Sequence, residues 1–363
     1  MPKQNVRGHD ARPAVCYYVS GHGLGHASRA TLVMRSIPQD IRLIVKSSAS
    51  EDYIRREAKR PLDFHADRFD FGAWQKSNFE IDWKKTFSVC KRIGADAARR
   101  IDDEARFLEA NNVGAVVSDI PPVPHCAARL AGIPGIAIVN FTWIEIFRKA
   151  ADAAGIAAAR LLDQYKKQYS SASLALRTPF CFPMKYFPVF RDIPLIGRRG
   201  IASRERLIRE GVVAEGQRLV LLYFGNWGNG GMRLDRLERL RDVMFVSLSE
   251  MPPPVRYLDP SIWDFADVLA SSDAVLAKPG YGAMAGCMAA GIPVIYYPRP
   301  EFAEYRVMRR DLDHWGGAVR IGRRNFLSCR WECALEKAFT LSPVRVDADG
   351  AHEAATVILR SML

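Results

Sequence analysis

No apolar run in this 363-residue chain approaches the ~20 residues that a membrane-spanning helix needs. Residues 1–12 are polar and basic, and the short apolar stretch that follows passes straight into a glycine-rich turn, so no secretory leader is read there and the expected compartment is the cytoplasm. The seven cysteines are odd in number and scattered at 16, 90, 126, 181, 287, 329 and 333. Only Cys329 and Cys333 lie close together, and neither has a histidine or a second cysteine pair nearby, which argues against a disulfide framework and a zinc site. Buried thiols in a reducing compartment are the expectation. No nucleic-acid-binding motif accompanies the 52 Lys+Arg set against 40 Asp+Glu. The basic residues come as pairs (Arg198-Arg199, Arg309-Arg310, Arg323-Arg324) and not as tracts, so no nucleic-acid partner is expected. The net charge of +12 leaves open an anionic substrate or peripheral attraction to an acidic lipid surface. Also missing is a G-x-G-x-x-G turn followed by an acidic strand end, which argues against a dinucleotide oxidoreductase.

What is present is a globular composition, 48% hydrophobic and 25% charged, long enough for two domains. The chain is organised around Ser20-Gly21-His22-Gly23-Leu24-Gly25-His26-Ala27-Ser28-Arg29. The apolar run Ala14 to Val19 leads in, and a helical segment from about Arg29 to Ile37 leads out. Three glycines in five positions permit a tight turn and close approach of backbone to a ligand. The N–H groups that open the following helix suit an oxyanion. A turn that only packs a strand on a helix has no use for two histidines and an arginine.

Strand and helix patterns alternate from there. Ile41 to Lys46, Val113 to Val117 and Gly135 to Val139 read as strands; Lys85 to Asn112 and Glu145 to Tyr169 read as long helices. Such alternation implies a parallel, doubly wound sheet, whose ligands bind beyond the carboxyl ends of the strands. Gly21–Arg29, Asp119 and Asn140–Trp143 all fall at that edge. The segment Thr178 to Pro194, rich in proline and phenylalanine, ends the first half near residue 195. Its aromatic residues Phe180, Phe182, Tyr186, Phe187 and Phe190 read as core between the halves, with an acceptor-lining role as the other option. The alternation then restarts. Arg218 to Phe224 is a strand running into the glycine-rich Gly225 to Gly231, with a helix expected near Leu234 to Val243. Asp273 to Ala277 leads into Lys278-Pro279-Gly280-Tyr281-Gly282 and a helix of small residues, Ala283 to Ala290. Two facing halves, each with glycine-rich turns, suit a reaction that joins two molecules.

The run YYVSGHGLGHASR resembles the opening of the glycosyltransferase-like domain at the front of L-arabinokinases and, more distantly, of the peptidoglycan lipid-linked N-acetylglucosaminyltransferase. Val117 to Trp143, Leu195 to Glu210 and Asp273 to Glu304 extend the resemblance over most of the chain. It implies an α/β GT-B fold: two Rossmann-like domains with a central cleft. The expected divisions are residues 1–195 (acceptor side), 196–350 (nucleotide-sugar side) and 351–363 (a terminal helix packing back on the first domain). It further implies a glycosyltransferase that moves a sugar from a nucleoside diphosphate sugar to an acceptor hydroxyl, with no metal or other cofactor. His26 takes the place of the general base, and Asp119 orients it or binds the acceptor. Gly23 and Gly25 in the first turn, and Gly225, Asn226 and Gly228 in the later loop, face the donor phosphates. Lys278, Gly280 and Gly282 match the family's basic residue and glycine turn, and Arg299 and Glu304 the loop that contacts the donor sugar.

One departure stands out. The family's Thr-x-Ser-Glu, whose glutamate holds the ribose hydroxyls, is replaced here by Ala283, Met284, Ala285 and Gly286. Another residue holds the ribose, the donor is recognised differently, or donor binding has been lost. The last option would make the chain a non-catalytic relative that binds a sugar or a partner. An epimerase or hydrolase of nucleotide sugars on the same fold is a further alternative. The acceptor, small molecule or lipid-linked, is not legible.

Overall fold

The computed structural model describes residues 13–76, 80–224 and 231–363. Among these, the strands form two fully parallel sheets. The first contains β1 (Ala14–Val19), β2 (Arg42–Ser47), β3 (Asp63–Ala66), β4 (Val113–Asp119), β5 (Gly135–Val139), β6 (Leu174–Arg177) and β7 (Phe190–Asp192). Their order is β3-β2-β1-β4-β5-β6-β7. The second contains β8 (Arg218–Tyr223), β9 (Val243–Ser247), β10 (Arg256–Tyr257), β11 (Ala274–Ala277), β12 (Val294–Tyr296) and β13 (Ala318–Arg320), ordered β10-β9-β8-β11-β12-β13. The central strands are buried on both faces, as β1 (AVCYYV) shows along its whole length, because helices cover both sides of each sheet.

Each sheet reverses its strand order once, between β1 and β4 and between β8 and β11. A crevice opens at such a point because the chains leaving the two strands diverge to opposite faces. Register places Val19 beside Asp119 at the first of these points. The turn after β1, the end of β4 and the turn after β11 are thereby set at strand carboxyl ends.

The halves are tied together by apolar packing. One buried cluster runs from Val33 and Val117 in the first half to Val275, Met284 and Cys287 in the second. The terminal helix Gly350–Ser361 packs against the helix Leu24–Ser36 and against β4. At its start Gly350 donates its N–H to Leu195 O, and a Cβ there would fall 2.2 Å from Pro194 O, so only glycine fits beside the outgoing strand of chain.

Local structure differs from the sequence pattern in three places. The helix expected over Glu145 to Tyr169 is two, Trp143–Ala154 and Ala159–Tyr169, because Gly155 adopts a left-handed conformation (φ 62°) and caps the first. The helical stretch Lys85 to Asn112 divides at Asp96 into Trp83–Ala95 and Ala97–Ala110. Leu234 to Val243 yields only the short 3-10 turn Leu234–Arg239 before β9 begins. Periodicity is continuous across such breaks and does not reveal them. Phe180 and Phe187 are buried in the core, as the packing reading expects, while Phe190 is exposed beneath Arg177.

Candidate functional site

The first turn owes its shape to its glycines. Gly23 has φ 77°, a left-handed value that favours glycine, and a Cβ on Gly21 would meet Ser48 Oγ at 2.2 Å. The helix Leu24–Ser36 starts on Gly23 without a side-chain cap, so its opening N–H groups keep no side-chain acceptor. His26 lies in its first turn, and its Nδ1 is 2.9 Å from Asp119 Oδ1. Arg29, one helical turn on, grips the same carboxylate with Nε to Oδ2 (2.8 Å) and Nη2 to Oδ1 (2.7 Å). Burial pushes the Asp119 carboxyl up, but Arg29 and His26 outweigh it and hold it below the usual carboxylate range. An ionised carboxylate only accepts, so Nδ1 carries a proton, and in the neutral ring the lone pair is on Nε2.

His22 occupies the other end of the turn. Its ring lies edge-on to Trp143 and stacked on Phe302. Burial first, and then His26, Lys278 and Arg299, push it down to about 3, so it stays neutral. The backbone of Gly72 fits against this ring so closely that a Cβ would come within 2.2 Å.

The second turn faces the first. The helix Tyr281–Ala290 begins on Gly280, again without a side-chain cap, and a Cβ on Gly282 would lie 3.7 Å from Ser28 Oγ. Arg29 sits 4.7 Å over the ring of Tyr281. Lys278 has no side-chain hydrogen bond or ion pair among the described residues, and burial, reinforced by Arg299, pushes its ammonium down to about 8. Arg299 is 5% exposed; its Nε lies 3.3 Å from Glu301 and its Nη2 has no partner among the described residues. A buried arginine and a partly buried lysine with unused donors, beside two uncapped helix starts, form a place for an anion of more than one charge. Glu304 accepts from Asn140 Nδ2 at 2.9 Å, and burial pushes its carboxyl up.

These groups share one cavity of about 830 Å³, lined by His26, Arg29, Lys278, Gly280, Arg299 and Glu304 among others. The structure thus brings together His26, Gly23, Gly25, Lys278, Gly280, Gly282, Arg299 and Glu304, with Asp119 directly behind His26. Gly225, Asn226 and Gly228 lie outside the described residues. The departure at Ala283 to Gly286 is physical as well as chemical. All four residues are buried, and a Cβ on Gly286 would meet Leu269 Cδ1 at 3.1 Å. The helix Tyr281–Ala290 carries no carboxylate, and space for one at Gly286 is short. Among the described residues no group of three or more His, Cys, Asp or Glu side chains is placed to hold a metal ion, and the seven cysteines are unpaired.

The sequence places His22, Arg29 and Asn140 at the ligand edge without giving any of them a role of its own, and it gives Tyr281 none. The signal for Arg29 was available: it lies three residues after His26, so both share one helix face. Asn140 carried none beyond its place at a strand end.

This architecture, two parallel doubly wound sheets with a cavity at their carboxyl edges, is the GT-B fold. It is shared over 97% of the chain with the glycotransferase of kitacinnamycin (TM-score 0.60, 14% identity, 95% of that chain). Phytolacca americana UGT2, solved with UDP-2-fluoro-glucose and pterostilbene, matches over 96% of the chain and 94% of its own (TM-score 0.58, 13% identity). Arabidopsis thaliana UGT89C1 matches over 97% of the chain and 100% of its own (TM-score 0.60, 13% identity). In sequence, the chain is similar to the L-arabinokinase of Arabidopsis thaliana, 29% identical over 355 residues and 95% of its length. It spans about a third (34%) of that relative. No family model matches. Among the described residues no helix is long and apolar enough to cross a membrane.

Proposed function

We propose that the protein transfers a sugar from a nucleoside diphosphate sugar to an acceptor hydroxyl, with His26 as general base. The observation that carries this reading is the His26–Asp119 pair at the strand switch point, opening on the same cavity as Lys278 and Arg299. Asp119 holds the proton on Nδ1, and Nε2 takes the hydroxyl proton while the oxygen bonds to the anomeric carbon. The bond from that carbon to the diphosphate breaks, and its electron pair leaves with the nucleoside diphosphate. Lys278, Arg299 and the starts of the helices Leu24–Ser36 and Tyr281–Ala290 face the charge that develops there. With that positive charge supplied by the chain, the step calls for no metal. Glu304 is placed to accept hydroxyls of the transferred sugar. The acceptor half extends to about residue 195 and the donor half from 196 to 350, with the terminal helix returning to the first.

The test is a panel of nucleotide sugars offered with and without candidate acceptors, read as bound and released nucleotide. Acceptor-dependent release supports transfer; release without an acceptor points to a hydrolase. The stripped wall at Ala283 to Gly286 favours a second reading, a relative that binds a sugar or partner without turnover. Thermal stabilisation by no nucleoside diphosphate at all would leave that reading and sink transfer.

A further inference from the structure

A buried chain of hydrogen bonds crosses between the two halves, and the proposed base stands at one end of it. His26 Nδ1 meets Asp119; Asp119 is held by Arg29; Arg29 Nη1 donates to Asn140 Oδ1 at 2.7 Å; Asn140 Nδ2 donates to Glu304 Oε1 at 2.9 Å. The first four residues belong to the first half and Glu304 opens the helix Glu304–Trp315 of the second. Asn140 is fully buried and does not line the cavity, unlike Arg29 and Glu304. It therefore touches no ligand there, yet its amide satisfies an arginine on one side and a carboxylate on the other.

The guanidinium is planar and rigid, so fixing Nη1 fixes the direction of Nε and Nη2. Those two atoms orient the Asp119 carboxylate, and its Oδ1 fixes the imidazole proton. We propose that Arg29 and Asn140 are positioning residues that lock His26 in its base-competent tautomer and link that tautomer to the donor-side loop through Glu304. This rests on the reading of His26 as the base.

Histidine nitrogen-15 shifts of the ligand-free full chain, recorded where the ring is neutral, read the tautomer directly. Wild type shows one form, with the proton on Nδ1. Asn140→Ala removes the acceptor of Nη1 and adds the Nε2-protonated form at roughly a tenth of the population or more, the scale of one lost hydrogen bond. Arg29→Lys does the same, because a single ammonium cannot bridge the carboxylate and Asn140. Asn140→Asp keeps an acceptor for Nη1 and restores the single form, with one proton shared between the new carboxyl and Glu304 in place of the amide N–H. Asn140→Ala indistinguishable from wild type, or Asn140→Asp as mixed as Asn140→Ala, overturns the proposal. If Asn140→Ala shows no cooperative melt, the contrast between Arg29→Lys (mixed) and Asn140→Asp (single) decides alone, and its absence overturns the proposal. Transfer fails separately: a chain that binds no nucleotide sugar while showing this tautomer pattern keeps the positioning network and loses the reaction.

Discussion

The cavity has two walls built on the same plan and furnished differently. Both begin with a glycine-rich turn after a central strand, and both turns run into a helix without a side-chain cap. The first helix carries polar groups inward: His26, Arg29 and Thr31 are buried, and the first two converge on Asp119. The second helix, YGAMAGCMAA, is apolar and buried along its length. The charge of its wall lies off the helix body, in Lys278 at the turn, Arg299 and Glu304 beyond it, and Arg198 and Asp264 on adjoining segments. On the proposed function the contrast divides the work: proton chemistry falls to the first wall, anion neutralisation to the entrance of the second, and shape to the body of the second.

The largest expected effect falls on the first wall. His26→Ala removes the only imidazole hydrogen-bonded to Asp119 among the described residues and should lower turnover about 10³-fold at saturating donor and acceptor, the usual reach of general-base catalysis. Nucleotide affinity, measured by calorimetry, should hardly change. Unchanged turnover would move the chemistry off this wall. Next comes Arg299→Met. Buried hydrogen bonds to charge contribute about 1.5–3 kcal/mol each, so UDP affinity should fall roughly 10- to 150-fold. A weaker loss than that from His26→Ala in the same binding assay would reverse the division between the walls.

The halves, the switch-point strands and the convergence of Gly21–Arg29, Asp119 and Asn140 on one edge were legible in the sequence, because buried parallel strands leave continuous apolar runs. The pairing of His26 with Asp119 was legible as an option, since both follow neighbouring strands. The Arg29–Asn140–Glu304 link was not. It joins residues 111 positions apart within the first half and 164 positions apart between the halves, and no local pattern encodes contacts over such distances. Nor was the neutrality of His22 legible, which arises from burial against Trp143 and Phe302 and from cations of the opposite wall.

A smaller effect follows from Lys278. Its ammonium is pushed down to about 8, so it is charged below that pH and neutral above it. Affinity for UDP should be flat up to about pH 7 and fall about tenfold by pH 9, as the protonated fraction of a group near 8 falls by that factor. Calorimetry at the two pH values reads it, and Lys278→Met should flatten the profile. A tenfold fall that survives in Lys278→Met would place the titrating cation elsewhere.

The smallest effect tests the stripped wall itself. Gly286→Glu would put a carboxylate on the second helix, at the position where the resemblance places a ribose-holding glutamate. Two terms favour it: a glycine inside a helix costs about 1 kcal/mol relative to a better helix former, and a carboxylate accepting from the ribose adds a charge-assisted bond. Two terms oppose it. The Cβ must push Leu269 Cδ1 back from 3.1 Å, and the carboxylate must leave water beside Ala283 and Leu269. The leucine methyl is the end of a flexible side chain and can give by a few tenths of an ångström, so desolvation is the larger cost and the net gain is modest. UDP affinity should rise about threefold, and affinity for inorganic pyrophosphate, which has no ribose, should stay the same or fall through added negative charge. The ratio of the two is the measurement. If it does not move, no ribose reaches this wall, and the donor half recognises its nucleotide by shape and phosphate alone.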